Sequence, residues 1–205
     1  MRVCVFGDSN GAGWRAGMTF TAFERGGHVC WPGLIRERGV EVSSLCTPGL
    51  ELNGYTRNST IFKQFLSQEV PKDTCIFILA LGTNDILQAG DENQGPRIIK
   101  DVKQYFKVVR DWCPGAHCYY LPHAALDLEK VAASGVRVSD GMRKTREHLL
   151  ENLLDTNIDA KILPVAIRDS HLDIDGIHLT LQGQEYVADV VLHTLQIDGL
   201  IDLAQ

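Results

Sequence analysis

The sequence predicts an α/β protein in three layers, a five-stranded parallel sheet sandwiched between helices. Five short segments, residues 2–6, 40–45, 75–81, 117–121 and 161–165, are apolar and rich in β-branched or aromatic side chains, the composition of strands. Between them run stretches whose apolar residues recur at helical spacing. The strand segments are apolar at consecutive rather than alternate positions, as in sheets buried on both faces by helices.

Each element follows in order. The strand at 2–6 runs into Gly7-Asp8-Ser9-Asn10-Gly11, and the glycine-rich residues 11–27 read as a surface loop. The strand at 40–45 leads to Cys46-Thr47-Pro48-Gly49, and the strand at 75–81 to Gly82-Thr83-Asn84-Asp85. After a polar loop at 90–96, Ile98, Val102, Tyr105, Phe106 and Val109 mark one face of a helix. The strand at 117–121 meets Pro122-His123. The strand at 161–165 is followed by a loop holding His171, Asp173, Asp175 and His178, before a last helix that begins near Thr180 and carries Val187, Val190, Val191 and Leu195 on one face. No repeat, low-complexity tract or linker interrupts the pattern, so residues 1–205 are expected to form a single domain.

Composition narrows the function. With 20 Lys plus Arg against 26 Asp plus Glu the formal charge is −6, and no basic cluster occurs, which speaks against nucleic acid and anionic membranes as partners. No apolar run is long enough for a membrane span, and the first residues lead into glycine and aspartate without a signal-peptide cleavage region, so a cytoplasmic location is expected. The six cysteines include no Cys-x-x-Cys pair and read as reduced thiols, Cys4 and Cys75 in core strands. The state of association stays open.

In open parallel sheets ligands bind beyond the carboxyl ends of the strands, which directs attention to the residues just named. Ser9, flanked by glycines on a strand-to-helix turn, can expose its hydroxyl as a nucleophile; the same motif also serves as a helix cap or phosphate cradle. Because Ser9 ends the first strand, any further oxyanion donor must come from later in the chain. The N–H of Gly49 and the side-chain amide of Asn84 suit that role beside the N–H of Ser9, the alternatives being a plain turn and a helix N-cap. Asp175 and His178, three apart around Gly176, can pair as carboxylate and imidazole base, or Asp175 can cap the last helix.

Around this set, His123 is a candidate substrate-pocket residue or spare base, Asp8 anchors its turn through backbone N–H groups, and Asp85 caps the following helix. His28, His117, His148 and His193 read as structural. Trp14, Phe20, Phe23 and Trp31 either line an acyl or sugar pocket or pack internally, with Trp14 the candidate for substrate contact. Two other classes compete with a serine mechanism. One is a metal-dependent hydrolase using His171, Asp173, Asp175 and His178, and the other is a non-catalytic module that holds a small ligand in the same cleft.

In order along the chain, Gly7-Asp8-Ser9, Gly49, Gly82-Thr83-Asn84-Asp85 and Asp175-Gly176-Ile177-His178-Leu179 with Gly183 resemble the four blocks of the SGNH hydrolases, the GDSL-type esterases and lipases. The resemblance implies a flavodoxin-like α/β/α sandwich, a Ser9-His178-Asp175 triad and an oxyanion hole from Ser9, Gly49 and Asn84. It also implies a serine esterase for small soluble esters, O-acetyl sugar, aryl or short-chain acyl, working through an acyl-enzyme without metal or cofactor. Asn10 departs from the leucine of many members. The second block, residues 49–56, is similar to that of arylesterase-like members with two residues inserted, which makes Gly54 an alternative donor, and the segment 11–31 is longer than the usual form.

Overall fold

The computed structural model describes residues 1–24, 28–52, 55–122 and 126–202. From the N-terminus it runs through β1 (Val3–Gly7), α1 (Ser9–Ala12), α2 (Phe20–Glu24), α3 (Trp31–Glu37), β2 (Val42–Cys46), α4 (Tyr55–Glu69) and β3 (Ile76–Ala80). It continues with α5 (Thr83–Leu87), α6 (Gly95–Trp112), β4 (His117–Tyr120), α7 (Leu128–Ala133), α8 (Asp140–Asn152), β5 (Lys161–Ile162) and α9 (Leu181–Ile197).

All strand pairs are parallel, in the order β2-β1-β3-β4-β5. The chain steps outward from β1 to β2, then returns across β1 to β3 and proceeds the other way. Connections therefore diverge above β1 and β3, leaving a crevice at their carboxyl ends. The register brings three strand ends level: Gly7 lies opposite both Cys46 and Ala80.

The period-2 alternation of β1 divides the interior into two layers. Cys4 and Phe6 face one side, with Phe62 and Phe65 of α4, Tyr105 and Phe106 of α6 and Leu149 of α8. Val3 and Val5 face the other, with Trp31 and Ile35 of α3 and Val187, Val191 and Leu195 of α9. The expected face of α6 is buried, including Ile98, Val102, Tyr105, Phe106 and Val109. Burying each such side chain fully contributes roughly 1.5–3 kcal/mol.

The structure amends the sequence reading at several points. β2, at the sheet edge, buries only Val42, while Leu45 and Cys46 are half-buried on opposite faces and Ser44 is exposed. β5 is shorter than expected: Leu163 still donates to the Tyr120 carbonyl, but the next N–H on that side, that of Val165, turns back to the Leu163 carbonyl at 2.8 Å and ends the ladder. Residues 11–24 hold α1 and α2 rather than plain loop, and α6 starts at Gly95, inside the polar stretch 90–96. Cys4 lies in β1 and Cys75 directly before β3; all six cysteines are free thiols. Among the described residues no helix is long and apolar enough to cross a membrane.

Candidate active site

The site begins where β1 stops. Asp8 accepts a hydrogen bond from the Asn10 N–H at 3.0 Å and caps α1, which makes Ser9 the first helical residue. A first-turn N–H has no intrahelical carbonyl to serve, so that of Ser9 remains available to a ligand. The turn is buried: Ser9 is only 4% exposed.

The loop before α9 carries the candidate base. His178 Nε2 stands 3.1 Å from Ser9 Oγ, and His178 Nδ1 stands 2.6 Å from Asp175 Oδ2. The other carboxylate oxygen accepts the N–H groups of Ile177 (2.9 Å) and His178 (3.0 Å). Burial by itself raises the Asp175 carboxyl, but these bonds from the His178 ring and from the two N–H groups outweigh it and draw the pKa down to about 2. The ionised carboxylate accepts only, so it holds the ring proton on Nδ1 and leaves Nε2 as an acceptor facing the Ser9 hydroxyl.

Gly176 makes this bend possible. Its φ is +68°, and a Cβ there would sit 2.5 Å from the Asp127 carbonyl oxygen and 2.7 Å from Lys130 Cβ of α7. The loop also closes on itself, with Asp173 N–H donating to the His178 carbonyl at 2.7 Å and Leu172 bridging to Leu179. Asp175 does not cap the last helix; Thr180 does, accepting from the Gly183 N–H at 3.0 Å.

Across the crevice, Gly49 follows β2 with φ +77°, a conformation that favours glycine. The turn is fastened by Thr47 N–H to the Gly7 carbonyl and by Leu50 N–H to the Thr47 carbonyl. Asn84 Nδ2 donates to the Leu50 carbonyl at 2.9 Å, which uses one amide hydrogen and leaves the second for a ligand. Neither Asn84 nor Asp85 caps α5, whose N-cap is Gly82. Asp85 is instead a buried acceptor for the Leu52 N–H at 2.7 Å, paired on its other oxygen with Arg97. Residues 84 and 85 thus grip the Gly49 turn at Leu50 and Leu52.

The remaining candidates separate. His123 and Gly54 lie outside the described residues. Trp14 is half-buried after α1; its N–H donates to the Ser9 carbonyl at 2.9 Å, and its ring packs on Phe20 and Phe23. Trp31 is fully buried, in the layer that α3 and α9 form on the sheet. The four-ligand metal set does not converge. His171 Nδ1 accepts from the Arg168 N–H and its ring stacks on Tyr186, while Asp173 pairs with Arg15. Among the described residues no group of three or more His, Cys, Asp or Glu could hold a metal ion.

Sequence reasoning missed three contributors besides Asp85. Arg15 Nε reaches Asp173 at 2.9 Å and ties the segment after α1 to the base loop. Asn10 bonds to the backbone on both sides of His178, and Gln184 bonds to Asn10. Gln184 left a signal: it lies three and seven positions before Val187 and Val191, on the apolar stripe of α9, where a polar side chain needs a buried partner.

No protein-family model and no curated protein sequence matches the chain. Solved structures do. The chain is similar to TesA at 18% identity, covering 96% of this chain and 99% of that one with a TM-score of 0.64. It is similar to a lipase/acylhydrolase from Enterococcus faecalis at 15% identity, covering 100% and 98% with a TM-score of 0.61. A member of the lipolytic G-D-S-L family from Veillonella parvula matches at 15% identity over 95% and 98% with a TM-score of 0.60. With its five-stranded parallel sheet and helices on both faces, the chain has the fold of the SGNH, or GDSL-type, hydrolases.

Proposed function

We propose that the chain is a serine esterase of the SGNH hydrolases, a single domain over 1–205 that cleaves small carboxylic esters through an acyl-enzyme. The observation that carries this reading is the unbroken line Asp175 Oδ2, His178 Nδ1, His178 Nε2, Ser9 Oγ, with links of 2.6 and 3.1 Å. His178 Nε2 takes the hydroxyl proton as Ser9 Oγ bonds to the ester carbonyl carbon, and Asp175 stabilises the imidazolium. The N–H groups of Ser9 and Gly49 and the second amide hydrogen of Asn84 receive the developing oxyanion. The C–O bond to the alcohol then breaks, with the proton passing from Nε2 to the leaving oxygen. Water, deprotonated by the same nitrogen, attacks the acyl-enzyme and releases acid and free Ser9.

The substrate class is a small ester, such as an O-acetyl sugar, aryl or short-chain acyl ester, and Trp14 and His123 are its candidate contacts. Arg15 and Arg168 already engage Asp173 and His171 of the rival metal set, which favours the serine reading. The test is hydrolysis of a short-chain p-nitrophenyl ester by the protein and by Ser9→Ala, each with and without EDTA. Turnover that vanishes with Ser9 and ignores EDTA is expected. Full activity in Ser9→Ala, or loss of activity to EDTA, would overturn the reading.

A further inference from the structure

We infer that Asn10 is the positioning residue for the general base, its carboxamide setting the place of His178 relative to Ser9. The inference rests on the serine reading above. Asn10 Nδ2 donates to the Ile177 carbonyl at 3.2 Å, and Asn10 Oδ1 accepts the Leu179 N–H at 3.0 Å. One side chain thus holds the backbone immediately before and immediately after His178, as a neighbouring strand does. Because Asn10 directly follows Ser9 in α1, a single rigid turn carries both the nucleophile and the grip on its base.

The grip is braced from behind. Gln184 of α9 donates through Nε2 to the Asn10 carbonyl at 3.1 Å and accepts the Trp31 N–H at 2.9 Å, linking α1, α3 and α9. Asn10 is 3% and Gln184 0% exposed, so water cannot readily replace either set of bonds, and each unmade bond leaves a buried polar group unpaired. The only residues with a donor and an acceptor side by side at every pH are Asn and Gln. Leucine offers neither, and an ionised carboxylate sets an oxygen against the Ile177 carbonyl. The second tie, Arg15 to Asp173, has an Arg15 side chain 40% exposed and is correspondingly weak. Without Asn10, the remaining ties reach the loop at Asp173 and, through the Asp127 N–H, at the Gly176 carbonyl rather than at the residues beside His178, and a misplacement of about 1 Å there costs about 10²-fold in rate.

The experiment compares the protein with Asn10→Leu and Asn10→Ala. Turnover is measured per serine titrated with a fluorophosphonate, and amide exchange is followed at Leu179. We expect kcat per titrated serine to fall about 10²-fold with KM unchanged. Leu179 exchange should quicken while slow amides in β1 and β3 stay protected. Gln184→Met should produce a smaller change in the same direction. Wild-type kcat with unchanged Leu179 exchange overturns the inference. So does failure of both Asn10 variants to fold, which assigns the residue to stability instead. If Ser9→Ala keeps full activity the esterase reading fails separately, and Leu179 exchange still decides whether Asn10 holds the loop.

Discussion

Between Leu172 and Leu179 the base loop closes on itself: Asp175 binds two N–H groups of its own loop and Asp173 N–H meets the His178 carbonyl. The opposite wall of the crevice has one bond of its own, Leu50 N–H to the Thr47 carbonyl, and otherwise depends on its neighbours. Most of the hold on the Gly49 turn comes from outside, by Thr47 N–H on the Gly7 carbonyl and by Asn84 and Asp85 of α5 on Leu50 and Leu52. The base loop is therefore a local constellation that needs the rest of the fold only for aim. The wall exists only once β1, β2 and β3 are in register.

The largest expected effect lies where both regions meet. Ser9→Ala or His178→Ala should lower kcat by about 10⁶, and Asp175→Asn, which loses the tautomer control, by about 10⁴. Steady-state kinetics on a p-nitrophenyl ester checks the ranking. A smaller loss for His178→Ala than for Asp175→Asn would break the proposed order of roles.

Next comes the wall. Asn84→Ala removes both the proposed oxyanion donor and the bond to the Leu50 carbonyl, and should lower kcat by about 10²–10³ with little change in KM. Unchanged activity would remove Asn84 from the hole.

Asp85→Ala loosens the wall alone. It leaves the Leu52 N–H unpaired and takes a buried partner from Arg97, at a cost of about 3 kcal/mol in urea denaturation. The base loop should not register the change, so amide exchange at Leu179 is expected to match the wild type. Faster exchange there would show that the two walls are coupled.

The smallest expected effect is a pH dependence. The Asp175 pKa is depressed to about 2 in the folded chain against about 3.9 in an unfolded one, so the unfolded state binds the proton more readily. The stabilisation is complete above about pH 4 and is lost as the pH falls from there through about 2. Denaturation midpoints across that window should fall more steeply for the wild type than for Asp175→Asn. Parallel curves would mean that the carboxylate contributes nothing to acid stability.

Reading the chain alone placed the helix face of α6, the last helix and all five strands, because each depends on a repeating pattern of buried positions. It also singled out the pairing of Asp175 with His178, which needs only a three-residue bend, and the structure brings that pair to Ser9. It misread Asp85, because an acidic residue in a helix first turn looks like a cap whether or not a distant N–H claims it. For Trp31 the chain alone left pocket lining and internal packing both open, because nearness to Ser9 in sequence does not reveal that α3 turns its ring into the layer against α9.

Periodicity, glycine placement and short-range spacing therefore determined the α/β architecture and the Asp-x-x-His unit, since those are set by backbone geometry within a few residues. The tertiary structure alone decided that Asn10 brackets His178, 169 positions from its contact with Leu179, and that Gln184 supports it from α9. It also decided that Asp85 serves Leu52 rather than its own helix. A buried amide or carboxylate must find a partner, but sequence says only that one is required. Which group supplies it is settled when the strand register brings separate turns to the same edge of the sheet.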